Sequence, residues 1–134
     1  MRLLGLLTSL GCLAVLTVAA YLSADPAGHG THTQLGLPPC SWMAVAGKPC
    51  PTCGMTTAFT HAAEGDYLGS FLAQPLGAII ALLASGLFWV GLHSAATGSR
   101  AVAAATDLLL APRALWVWFG LLAAAWIYKL AVTG

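Results

Sequence analysis

Apolar residues in this chain fall into three long uncharged or nearly uncharged runs, and each is long enough to be read as a helix. Residues 3–22 make the first and residues 67–92 the second. The third, 114–132, is interrupted only by Lys129. A helix needs about 20 apolar residues to cross the hydrocarbon of a bilayer. The pattern therefore predicts an all-α membrane protein with three transmembrane helices. The third run reaches that length only if Lys129 snorkels to the surface. The first has a rival reading as a signal peptide, with Met1-Arg2 as a minimal basic region and Val18-Ala19-Ala20 as a cleavage site. It is long for such a segment, so a retained helix is expected. A lipoprotein reading through Ser9-Leu10-Gly11-Cys12 is weaker, because too few apolar residues precede the cysteine.

The connections differ in kind. Between the second and third runs, residues 101–110 form either a helix lying on the membrane or a plain linker, with Pro112 opening the next span. Residues 23–66 are longer and richer. They contain three of the four cysteines, three of the four histidines, and also Trp42, Met43, Val45, Met55 and Phe59, too many large apolar groups for a disordered loop. Gly36-Leu37-Pro38-Pro39-Cys40 and Gly47-Lys48-Pro49-Cys50-Pro51 break any regular element. After them a short interfacial helix is expected from Thr52 or Cys53 to about Ala63, with Met55, Phe59 and Ala62 on one face, toward the bilayer or the spans. Asp66 is placed to cap the second span. Pro75 lies inside that span, where it frees the carbonyl of Phe71, so a kink is expected there with Gln74 bonding the freed group.

Composition agrees with this pattern and narrows the function. The 134 residues are 59% hydrophobic and 7% charged, against about 25% charged in a soluble domain. A net charge of +1 without a Lys/Arg cluster gives no reason to expect a nucleic-acid partner. Length allows a single domain. Arg2, Arg100 and Arg113 fall on one side of the expected membrane, Lys48 and Lys129 on the other. This favours a cytoplasmic N-terminus and a Cys-rich loop outside. Tyr21, Tyr67 and Tyr128 cluster at one face, and Trp89, Trp116 and Trp118 at the other.

Chemistry concentrates in Cys50-Pro51-Thr52-Cys53-Gly54. Two cysteines with two residues between them serve either thiol redox chemistry, with Cys50 activated by the N-terminus of the helix that follows, or a metal knuckle, with Gly54 giving the backbone room to fold beneath the ion. Cys40 could be a third ligand. For a fourth, His61 is poorly placed, since eight helical residues beyond Cys53 it would lie about 12 Å along the axis. Cys12 would be about 15 Å into the membrane. His29 and His32 have neither limit, so the best metal set is Cys40, Cys50, Cys53 and one of His29 or His32, for zinc or copper. Equally, no ion need be present. Cys40 could then pair with Cys50 or Cys53 in a disulfide, the pair could work in redox, or the thiols could simply pack. Thr56 and Thr57 are read as helix residues bonding back to carbonyls, and Glu64 and Asp66 as capping groups. No catalytic serine set, phosphate loop or haem motif is seen.

The stretch Pro49-Cys50-Pro51-Thr52-Cys53-Gly54-Met55-Thr56-Thr57-Ala58, with Gly36-Leu37-Pro38-Pro39-Cys40 before it and Gly65-Asp66 and Gln74-Pro75 after it, resembles a domain-of-unknown-function family. Its members are short bacterial membrane proteins with a Cys-Pro-x-Cys-Gly-x-Thr-Arg-Ala core. The resemblance covers residues 33–77 and implies a multi-span membrane protein, without an activity to carry over; the expected location is a bacterial inner (cytoplasmic) membrane. Thr57 stands where the family often has arginine, so a cation at that position is not carried over. The expectation is a non-enzymatic membrane component that docks, within the lipid bilayer, to a larger membrane protein complex, its loop fixed by a disulfide or a metal. The alternative is a thiol-redox or metal-handling protein using Cys50 and Cys53.

Overall fold

Glycine, proline and aspartate punctuate the elements. In the computed structural model, which describes residues 1–133, the described residues form α1 (Arg2–Tyr21), a 3-10 turn (Thr31–Leu35), α2 (Ser41–Ala46), α3 (Met55–Ala63), α4 (Tyr67–Ala73), α5 (Pro75–Thr97), α6 (Ala101–Leu110) and α7 (Pro112–Thr133). No strand is present among them. Three helices are long and apolar enough to cross a membrane, Arg2–Tyr21, Pro75–Thr97 and Pro112–Val132. Their large apolar side chains face outward, Leu3 at 68% and Trp116 at 79% exposure. That is the surface of a protein whose solvent is lipid.

With lipid outside, close packing must come from small residues rather than from hydrophobic burial. α1 packs most extensively on α5. A side-chain carbon on Gly5 would stand 2.7 Å from Ala95 N and Gly91 O, and one on Gly91 would stand 2.8 Å from Gly5 O. The two backbones therefore touch at this crossing. α3 lies against α1 with Met55 and Phe59 lining one apolar cavity between them and Ala62 another, so the expected apolar face turns to a neighbouring span. α6 is a helix, tied to α5 by the Val102 N–H donating to Ser94 Oγ and to α7 by Trp118 Nε1 donating to Leu109 O.

The second apolar run is not one helix. Gln74 is extended (φ −162°, ψ 107°) and Pro75 occupies the first turn of α5, so the expected kink is a full break. The apolar span begins at Pro75 rather than at 67 and runs to Thr97 rather than to 92. Asp66 does cap the segment before the break, its Oδ1 accepting from Gly69 N–H at 2.8 Å. Gln74 does not serve Phe71. It is fully buried, and its Nε2 donates to Pro51 O at 2.9 Å. Two of the carbonyls freed by the break are met from α7. Tyr128 Oη donates to Leu72 O at 3.1 Å and Lys129 Nζ to Ala73 O at 2.9 Å. Lys129 therefore does not snorkel outward. It is 3% exposed, because two inward carbonyls offer it partners that the bilayer face cannot.

The loop is also more ordered than its sequence suggested. Cys40 and Gly47 bound the unexpected helix α2, Gly47 with a left-handed backbone (φ 62°). α3 begins at Met55 instead of Thr52 or Cys53, because residues 51–54 are used in a turn. Thr57 does not bond back to a carbonyl. Its Oγ1 meets Thr31 Oγ1 at 2.8 Å, both side chains fully buried, and this joins α3 to the 3-10 turn. Thr60 makes the backward bond instead, to Thr56 O.

Candidate metal centre

Two separate chain segments carry the three loop cysteines to one place. Cys40 is the N-cap of α2. Cys50 and Cys53 open and close the turn before α3, with the Cys53 N–H donating to Cys50 O at 3.0 Å. The sulfurs of Cys40, Cys50 and Cys53 all lie within 4.8 Å of one another. An ion bound tetrahedrally at about 2.3 Å from each sulfur needs them about 3.8 Å apart, twice 2.3 Å times the sine of half the tetrahedral angle. Closure by about 1 Å or less would suffice, and the three thiols could hold a metal ion.

The turn that carries Cys50 and Cys53 is held at three points by residues distant in sequence. Trp126 of α7 donates from Nε1 to Pro49 O at 3.0 Å. Its ring also meets Trp42 of α2 edge to face, with centroids 6.3 Å apart. One indole thus positions both the Cys50 turn and the helix capped by Cys40. Gln74 Nε2 donates to the carbonyl two residues further on, Pro51 O. Beneath the turn, Gly54 has φ +88°, and a side-chain carbon there would stand 2.6 Å from Gly28 O, 2.9 Å from Ala73 O and 3.1 Å from Lys129 Nζ. The room that glycine provides is filled by two carbonyls and an ammonium. The sequence marked none of Trp126, Gln74 and Lys129 as a site residue. The available signals were a polar glutamine beside Pro75 and a lysine within an apolar run.

The thiols differ in environment. Cys40 lies against the backbone amide of Met43, then that of Trp42, at the positive N-terminus of α2, and these amides hold its thiol below the ordinary range. The amide-stabilised cysteine is therefore Cys40, and it is Gly54, not Cys50, that caps α3. Cys53 is buried, 7% exposed, and burial pushes its thiol up to about 11. Cys50 Sγ lies 3.4 Å from Thr52 Oγ1. All four cysteines carry free thiols, and Cys12 is on α1, apart from the cluster.

The three cysteines line a cleft of about 310 Å³ together with His32, Thr52 and Thr57. His32 stands outside the 4.8 Å group, with Nε2 3.2 Å from Pro38 O. His29 lines neither the cleft nor the cluster. His61 is turned away at the end of α3, its Nδ1 3.1 Å from Asp66 Oδ2.

Residues 40–89 match the model of a family described as a protein of unknown function (DUF2752). The match starts at Cys40 and includes Cys50, Cys53, Gln74 and Pro75. It excludes α1 and α7, and with α7 both Trp126 and Lys129. No curated protein and no solved structure matches the chain.

Proposed function

We propose that this chain is a non-enzymatic component of a bacterial inner membrane whose extracytoplasmic loop is closed by a thiophilic metal ion on Cys40, Cys50 and Cys53. The observation that carries this reading is the convergence of three sulfurs. A disulfide would use two of them and leave the third without a purpose, whereas one ion uses all three. Thiolates select zinc or copper(I).

His32 completes the set as fourth ligand, in preference to His29. It lines the same cleft, and its contact with Pro38 O suits an Nε2–H donor, which leaves Nδ1 with a free lone pair. A ligating histidine commonly gives its other N–H to a backbone carbonyl in this way. Three cysteines and one histidine form a closed zinc set of the structural kind. The ion would then hold α2, the 3-10 turn and the turn before α3 as one rigid knob on the membrane surface. The uncovered face of α7, with Trp116, Phe119 and Ile127 exposed, is left for lipid or for a larger membrane complex.

One observation favours thiol redox chemistry as the second reading, namely the lowered thiol of Cys40. In that reading Cys40, rather than Cys50, would be the attacking thiolate.

Elemental analysis and thiol labelling on the purified, detergent-solubilised protein separate these readings. We expect about one zinc per chain, with Cys40, Cys50 and Cys53 blocked to alkylation until a chelator removes it. Either Cys50→Ser or Cys53→Ser should then reduce the zinc content and the thermal stability. Absence of metal, with two thiols appearing only after reduction, would overturn the metal reading in favour of a disulfide.

A further inference from the structure

Lys129 is a buried cation whose charge nothing described so far answers. Its Nζ donates to Gly28 O at 2.8 Å and to Ala73 O at 2.9 Å. Carbonyls satisfy N–H groups but carry no net charge. No carboxylate of the described residues lies within 4.0 Å of it, since the ion pairs found join His61 to Glu64 and Asp66. Asp25 lines the same cleft as Lys129 but forms no ion pair with it, its Oδ1 accepting instead from the Ala27 N–H. Taking an ammonium out of water without a counter-charge is costly. With Asp25 outside ion-pair distance, the thiolates are the further negative charge that the fold can bring to this cation. Lys129 Nζ abuts Gly54, the residue that follows Cys53.

The charges balance. A metal binds thiols as thiolates, so three of them around a divalent ion sum to −1, and a neutral histidine adds nothing. Lys129 contributes +1. We propose that Lys129 is the built-in counter-charge of the Cys40, Cys50 and Cys53 site, a positioning residue that favours a divalent ion by neutralising its trithiolate complex. This rests on the metal reading given above. It also gives α7 a part in the site, because the cation and the indole that positions the turn both come from that helix. The ammonium is fixed by two carbonyls, one from the start of the loop and one from the break before α5. Its charge is therefore in place before an ion arrives and needs no reorganisation when it does.

The experiment is zinc affinity by chelator competition on the full-length protein in detergent, for the parent, Lys129→Met and Lys129→Arg. Loss of an outer-shell partner lowers metal affinity by about 10–100-fold, and that loss is expected for Lys129→Met. Lys129→Arg, which keeps the charge, should stay within a few-fold of the parent. A purely structural clasp is separated from a counter-charge by repeating Lys129→Met in a Cys40→Ser background. There the divalent complex carries no net charge, so the same substitution should weaken zinc by a much smaller factor. An equal factor in both backgrounds would overturn the proposal, as would unchanged affinity in Lys129→Met. Should Lys129→Met fail to fold, a folded Lys129→Arg that loses zinc by 100-fold or more would overturn it as well. Failure of the parent itself to take zinc would instead remove the metal reading and this inference with it.

Discussion

At the cluster the fold treats three identical side chains unequally. Cys40 sits half-buried against the amides of α2, while Cys53 is buried and its thiol is raised to about 11. The thiolate is the nucleophile, so the two should differ in rate. In metal-free protein near neutral pH, an alkylating reagent followed by peptide mass mapping is expected to modify Cys40 well before Cys53. Labelling of Cys53 should keep rising with pH toward about 11, because the deprotonated fraction grows until its raised pKa is passed. Labelling of Cys53 first would contradict both environments. Gly54 gives a second test at this scale. Alanine there would suffer the left-handed penalty of about 1–2 kcal/mol and an overpacking cost of about 1–3 kcal/mol against Gly28 O and Ala73 O. Thermal unfolding in detergent should show Gly54→Ala among the most damaging single substitutions in the loop. Cys50, Cys53 and Gly54 were legible in the sequence because two-residue spacing is local, whereas Cys40, ten residues upstream, could be read only as a candidate third ligand. His32 could not be separated from His29 without the cleft, and Trp126, Gln74 and Lys129 reach the site only through contacts between residues far apart in the chain.

Helices were more readable than their interruptions. Each long apolar run yields a long helix, because in lipid a span must satisfy its backbone internally. A proline in such a run signals a disturbance, but its size depends on who receives the freed carbonyls. Here α7 supplies Tyr128 and Lys129, and Gln74 is free to hold Pro51 O instead. Those partners satisfy two of the freed carbonyls, and the kink expected from the proline alone becomes two helices. α2 escaped notice because six residues between two breakers carry almost no periodic signal. The contact of α1 with α5 was equally hidden, although glycines placed on both helices made it feasible. Gly5→Val is expected to drive the helices apart at a cost of about 1–3 kcal/mol. Gly11→Val, where nothing lies within 4 Å, should stay within about 0.5 kcal/mol of the parent. Thermal stability of the two variants in the same detergent checks this, and equal effects would mean that α1 does not pack on α5 in the membrane.

The whole molecule places its charges at opposite ends. A side-chain carbon on Gly98, at the end of α5, would stand 3.4 Å from Arg2 Nε, so the N-terminus of α1 shares an end with Arg100 and Arg113. Lys129 and the cysteine loop lie at the other end, where Lys129 is bound to Gly28 just beyond α1. Counted as residues, the arginines outnumber the lysines by only three to two. The structure changes the weight of that count, because Lys129 is buried among carbonyls and leaves exposed Lys48 as the opposing charge. Excess Lys and Arg on the cytoplasmic side sets orientation. This supports our placement of the arginine end in the cytoplasm and of the thiol site outside. With Cys12 replaced by serine, a membrane-impermeant maleimide applied to intact cells after chelation should label the protein without lysis, chiefly at Cys40. Labelling that required lysis would invert the orientation. The cluster would then face a reducing compartment, where a disulfide does not persist and a bound ion is the stronger remaining reason for three thiols to converge.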